Sequence, residues 1–150
     1  MIRLALIVSS FNEEVTGGLA KGARDVLREN GITDWKEFRA PGAFELPLLA
    51  KTLALSGQVD GVVCLGCVIK GDTAHFEFIS LGTAIGIQQA SLETGVPISF
   101  GVLTTYTDEQ AVVRSRDDAH NKGREAAHAT IESIRLIREI RGISQSRSES

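Results

Sequence analysis

Three stretches of this chain are apolar almost without interruption: Leu4–Ser9, Gly61–Ile69 and Ile98–Thr104. They are far shorter than the ~20 residues a membrane helix needs. They also lack the alternation of a sheet with one wet face, so they read as parallel strands covered on both sides. Parallel strands need crossover connections, which are usually helices. Helical spacing appears where those connections are required. Glu13–Asn30 carries Val15, Leu19, Ala23, Val26 and Leu27, with Gly31 suited to the position just past the helix. Phe44–Leu55 reads as a second helix, shortened or kinked near Pro47. His75–Thr94 is a third, and Asp108–Arg116 and Lys122–Arg141 are the last two. A fourth strand, about Trp35–Arg39, alternates charge with Trp35 and Phe38 and reads as a sheet edge.

This order predicts one α/β domain over residues 1–141, a three-layer α/β/α sandwich on a four-stranded parallel sheet. The serine-rich end, residues 142–150, is expected to be a flexible tail. A length of 150 residues fits one core and not two. The net charge of −3 offers no basic field for a nucleic-acid backbone. The first residues read as a strand and not as a secretory leader, so a cytoplasmic protein without a membrane span is expected.

Cys64 and Cys67 have C-x-x-C spacing, which in a redox motif places the first cysteine at a helix start. Here both fall inside the Gly61–Ile69 strand. Residues three apart on a strand face opposite ways, so two core cysteines are expected, with no metal site.

In such a sheet ligands sit at the carboxyl ends of the strands. Gly71-Asp72-Thr73 joins a strand to a helix, and N–H groups there form either an anion site or an ordinary cap. His75 follows in the first helical turn, as a proton carrier or as a loop hydrogen-bonding residue. Phe11 and Phe44 stand at strand ends, for stacking on a planar ligand or for packing. Glu45 can accept hydrogen bonds from hydroxyls or serve the helix N-terminus. Arg114 matches phosphate geometry, though an isolated arginine also suits a solvated helix face. His120 and His128 are weaker candidates. Dinucleotide, P-loop and nucleophile-elbow motifs do not occur in the sequence. From the residues alone, this is an α/β domain for something flat and something anionic.

The segments Phe11-Asn12, Pro41-Gly42-Ala43-Phe44-Glu45-Leu46-Pro47, Gly66-Cys67-Val68-Ile69-Lys70-Gly71-Asp72-Thr73-Ala74-His75-Phe76, Ser91–Pro97, Phe100–Thr104 and Asn121-Lys122-Gly123 resemble the lumazine synthase family in order and spacing. The resemblance runs from about Leu4 to about Arg138. It implies a flavodoxin-like domain and a reaction without metal or organic cofactor. That reaction joins 5-amino-6-(D-ribitylamino)uracil to 3,4-dihydroxy-2-butanone 4-phosphate, giving 6,7-dimethyl-8-ribityllumazine on the route to riboflavin.

By resemblance, Phe11 stacks on the pyrimidine, and Ala43, Phe44 and Glu45 hold the ribityl chain. Cys67, Val68 and Ile69 line the pyrimidine pocket. Asp72 and Thr73 present N–H groups to the phosphate, and Arg114 pairs with it. His75 shuttles protons. Phe100 covers the heterocycle from a neighbouring subunit, and Lys122 supports the charged end. The family forms homopentamers, in some members stacked into an icosahedral capsid. A chain that begins almost at its first core strand leans towards the free pentamer. Ser10, Ala74, Asp118 and His120 depart from the usual pattern, and Asp117-Asp118 is expected to bring negative charge near the phosphate end. The alternatives are a flavodoxin-like flavin-binding protein without turnover, and an assembly that has lost activity.

Overall fold

The strands are β1 (Arg3–Ser9), β2 (Asp34–Ala40), β3 (Gly61–Ile69) and β4 (Ile98–Thr105). They pair in the order β2-β1-β3-β4, all parallel. A computed structural model describes the backbone of residues 1–149 and the side chains of residues 1–142. The helices are α1 (Glu13–Glu29), α2 (Leu46–Leu55), α3 (His75–Thr94), α4 (Asp108–Arg114) and α5 (Lys122–Glu149). The expected flexible tail falls on residues 142–150, and all but Gly142 lie outside the described side chains.

Alternate residues of each strand feed two separate cores. Leu4, Leu6, Val8, Val63, Leu65 and Cys67 pack with Val15, Leu19 and Val26 of α1 and with Ala127 and Ile131 of α5. On the other face Ile7, Val62, Cys64 and Val102 meet Leu46 and Ala50 of α2 and Ile87 and Ala90 of α3. The two cysteines therefore sit in opposite cores, as a strand period of two dictates.

The Ile98–Thr104 run is packed on both faces, with Leu103 in one core and Val102 in the other, and β4 is the second edge of the sheet. The second helix is shortened and not kinked near Pro47, which sits in the first turn of α2, where its missing N–H costs nothing, after a 3₁₀ turn at Ala43–Glu45. One boundary needs correction. The fourth helix stops at Arg114, because the chain turns there to let the Ser115 N–H bond to the Val112 carbonyl.

The edge strand β2 is fastened to α1 by a charged clasp. The Arg24 guanidinium donates through Nε to Glu37, and Nη2 donates to Oε2 at 3.0 Å. The Arg24 hydrogen bond holds the Glu37 carboxyl below its usual range. A carboxyl lowered in the folded state contributes stability that is complete above its unfolded value. That stability is lost as pH falls through the folded value. Glu37→Gln is therefore expected to reduce the drop in urea midpoint between about pH 7 and about pH 3. An unchanged drop would show that the clasp adds nothing.

Candidate active site

The chain leaves β1 towards β2 on one side and reaches β3 on the other. This creates a topological switch point between β1 and β3, where open α/β sheets hold their ligands. A cleft of about 530 Å³ opens there. Its walls bring together most of the residues read from the sequence. Phe11 follows β1, and Ala43, Phe44 and Glu45 follow β2. Cys67, Val68 and Ile69 end β3, and His75 starts α3.

Phe11 and Phe44 are 68% and 59% exposed, so neither ring is a core residue. That exposure favours a stacking role over a packing one. The Phe44 ring lies over α3 where Gly82 leaves room, since a Cβ there would stand 3.1 Å from the ring.

Asn12 also lines the cleft, although the sequence reading gave it no role. Among the described non-glycine residues it alone has a positive φ, 57°. Its Nδ2 donates to the Cys67 carbonyl at 3.3 Å, tying the loop after β1 to the end of β3. Asparagine tolerates this left-handed backbone better than most residues, which is the only sequence signal that could have found the position. Asp108, at the start of α4, is a second lining residue the sequence reading missed. Burial, and then the Asp108 charge, push the Cys67 thiol up to about 11. Burial alone pushes Cys64 to about 12. Neither cysteine supplies a thiolate near neutrality, so the cleft holds no cysteine nucleophile.

Gly71, Asp72 and Thr73 are exposed just before α3 and are not among the residues lining the cleft. The Thr73 hydroxyl oxygen accepts weakly from the His75 N–H, at 3.4 Å. The N–H groups of the first turn have no acceptor within the helix, and with its dipole they suit an anion.

Arg114, Phe100 and Lys122 are not in this cleft. They line a second one, of about 510 Å³, beside β4, together with Val113, His120 and Glu125. His120, a weaker candidate from the sequence, shares this cleft with both cations. The physical reason for the separation is the sheet order: β4 is an outer strand, and the loops after it serve the outer side. Both carboxylates of the Asp117-Asp118 pair have partners of their own. Asp117 pairs with Lys21 of α1 at 3.2 Å, and the Asp118 carboxylate accepts from the His120 N–H at 2.8 Å. Among the described residues, no group of three or more histidine, cysteine or acidic side chains could hold a metal ion.

The comparisons with known proteins agree with one another. A family model described as 6,7-dimethyl-8-ribityllumazine synthase matches residues 1–138. A protein of Caulobacter vibrioides named 6,7-dimethyl-8-ribityllumazine synthase 1 is 62% identical over 141 residues, covering 93% of this chain and 92% of its own. Proteins of the same name, without the numeral, are 49% identical in Syntrophus aciditrophicus and 51% in Chlorobium phaeovibrioides. The first alignment covers 93% of this chain and 92% of the relative, the second 91% and 89%. With a parallel sheet in the order β2-β1-β3-β4 and a family match over nearly its whole length, this chain belongs to the 6,7-dimethyl-8-ribityllumazine synthase family.

Proposed function

We propose that this chain condenses 5-amino-6-(D-ribitylamino)uracil with 3,4-dihydroxy-2-butanone 4-phosphate to form 6,7-dimethyl-8-ribityllumazine, releasing phosphate and water, in riboflavin biosynthesis. The observation that carries the reading is the switch-point cleft. Two exposed rings, two carboxylates and an imidazole converge there, and neither cysteine supplies a thiolate near neutrality. The reaction fits that inventory, because the nucleophile is the substrate's amine. The amine attacks the ketone, water leaves to give an imine, phosphate is eliminated, and the ribitylamino nitrogen closes the ring on the remaining carbonyl with loss of a second water. Each step moves a proton, a task for His75 at the cleft wall. Phe11 stacks on the pyrimidine, Ala43 and Phe44 hold the ribityl chain, and Glu45 accepts from its hydroxyls. Backbone groups of Cys67, Val68 and Ile69 read the pyrimidine edge. Asp72 and Thr73 turn N–H groups to the phosphate, and Arg114 and Lys122 neutralise it. Much of the acceleration comes from holding two substrates together, an effect worth up to ~7–11 kcal/mol.

The two clefts of one chain become one site when copies associate. In this reading Phe100, Arg114 and Lys122 of one subunit complete the Phe11–His75 cleft of the next, in a homopentamer. Support comes from α3, whose Phe78, Leu81, Ile85 and Leu92 are all exposed although the opposite side of the helix is already packed. A helix apolar all round is a buried helix, and a head-to-tail ring would bury it. The apolar groove between α3 and α5, lined by Leu92, Pro97, Phe100 and Ile137, supports the same contact. No described helix is long and apolar enough to cross a membrane, which is compatible with a cytoplasmic location. The flavin-carrier alternative is not favoured, since the relatives are named as synthases.

The direct test mixes purified protein with both substrates and follows lumazine absorbance and fluorescence. A rate well above the spontaneous condensation is expected, with His75→Ala slower by ~10²-fold. A rate no higher than the spontaneous one would remove the enzymatic reading.

A further inference from the structure

Between Arg114, which ends α4, and Lys122, which begins α5, lie seven residues with little to hold them. Ser115 is half-buried, residues 116–120 are exposed, and only Asn121 is buried, at 1% exposure. We propose that Asn121 is a positioning residue for the phosphate-holding half of the site. Its side-chain amide fixes Arg114 and Lys122 relative to each other. The inference rests on the reading that these two cations hold the substrate phosphate.

Three carbonyl oxygens converge on the Asn121 amide nitrogen. Nδ2 donates to the Ser115 carbonyl at 3.1 Å, to that of Arg116 at 2.8 Å, and to that of Gly18 in α1 at 3.1 Å. Two of these carbonyls belong to the residues directly after Arg114, so the end of α4 is pinned. The third fastens that turn to α1. The other end of the same amide, Oδ1, accepts from the Arg124 N–H at 3.1 Å. That is a helix N-cap, and it fixes the start of α5 and therefore the backbone of Lys122. One side chain thus links three helices. Asn121 lines neither cleft, so it acts through Arg114 and Lys122 and not on substrate.

Only a neutral group with both a donor and an acceptor end satisfies this setting. Aspartate caps a helix as well as asparagine does, but it would turn a carboxylate towards three carbonyl oxygens. Asn121→Asp therefore keeps the cap and removes the fastening. α1 offers a second way in. A Cβ on Gly22 would stand 2.2 Å from Asn121 Oδ1, so Gly22→Ala displaces the amide through a substitution that lies in neither α4 nor α5.

The experiment measures steady-state kinetics for each substrate in Asn121→Asp, Gly22→Ala and Arg114→Ala, with assembly state followed by sedimentation. The expected result for the first two is a fall of about 10²-fold in kcat/KM for the ketone phosphate. KM for the pyrimidine should stay near the parent value, and inorganic phosphate should inhibit more weakly. Proportional losses for both substrates would overturn the inference, as would no loss. So would variants that fail to fold, since Asn121 would then serve stability in general. An Arg114→Ala variant with an unchanged ketone KM would instead overturn the reading on which the inference rests.

Discussion

Arg114→Ala is expected to lower kcat/KM for the ketone phosphate by about 10²–10³-fold, the loss typical when a preorganised donor to developing charge is removed. The pyrimidine KM should scarcely move. The asymmetry follows from placement. Arg114 lies on the β4 side with Lys122, whereas the rings and Glu45 line the switch-point cleft. Its described hydrogen bond uses Nη1, which donates to the Gln110 carbonyl at 2.9 Å. This braces the guanidinium along α4 and leaves its remaining donors for an anion. A charge-assisted bond contributes about 1.5–3 kcal/mol, and two together on one phosphate account for the upper part of the expected range. The phosphate also leaves during the reaction. Its charge grows as its bond to carbon breaks, so kcat should fall along with binding. Arg114→Lys tests geometry against charge. A point charge keeps the attraction but loses the planar fork, and partial recovery is expected. Equal losses for both substrates would place Arg114 outside the phosphate subsite.

Most of the architecture was readable because it rests on burial. Leu4–Ser9 and Gly61–Ile69 are covered on both faces, and a doubly covered strand writes itself as an apolar run. Ile98–Thr104 is apolar too and is packed on both faces, yet β4 is an edge of the sheet, and its Phe100 lines two clefts. A sequence records that a face is meant to be covered, not whether its own chain or a second copy covers it. Adjacency in sequence leaves the partner of Asp117 open. It lies three residues from Arg114, but its carboxylate reaches Lys21 across the seam with α1. Charge counted along the chain is a poor guide where a turn sends successive side chains to different neighbours. The strand-end residues Phe11, Glu45 and His75 were legible because the switch-point rule says where to look. Asn12 and Asp108 were not singled out. Their contribution depends on a left-handed backbone and on which helix start faces the cleft, and neither leaves a strong pattern.

Two glycine-to-alanine changes on packed helices should move stability in opposite directions. Gly123, in the first turn of α5, is buried against α1. A Cβ there would lie 1.9 Å from the Leu19 carbonyl oxygen and 2.9 Å from the Leu19 Cα. These are backbone atoms of a packed helix and cannot rotate away. Gly123→Ala must push α5 off α1 and open the core that Leu19 shares with Ala126, Ala127 and Ile131. Overpacking of this kind costs about 3 kcal/mol or more. For a chain of this size that lowers Tm by roughly 6–12 °C, at 2–4 °C per kcal/mol. Gly17, in α1, has nothing within 4 Å of its missing Cβ and is exposed. Gly17→Ala should raise stability by about 0.5–1 kcal/mol, the ordinary gain in helix propensity. Propensity alone would make both changes stabilising, so the difference in sign isolates the close approach of the two helices. The comparison should use equal protein concentrations, since association shifts an apparent Tm. A Gly123→Ala protein as stable as the parent would mean that the seam between α1 and α5 yields. In that event Asn121, fastened across the same seam, could not hold Arg114 and Lys122 in register either.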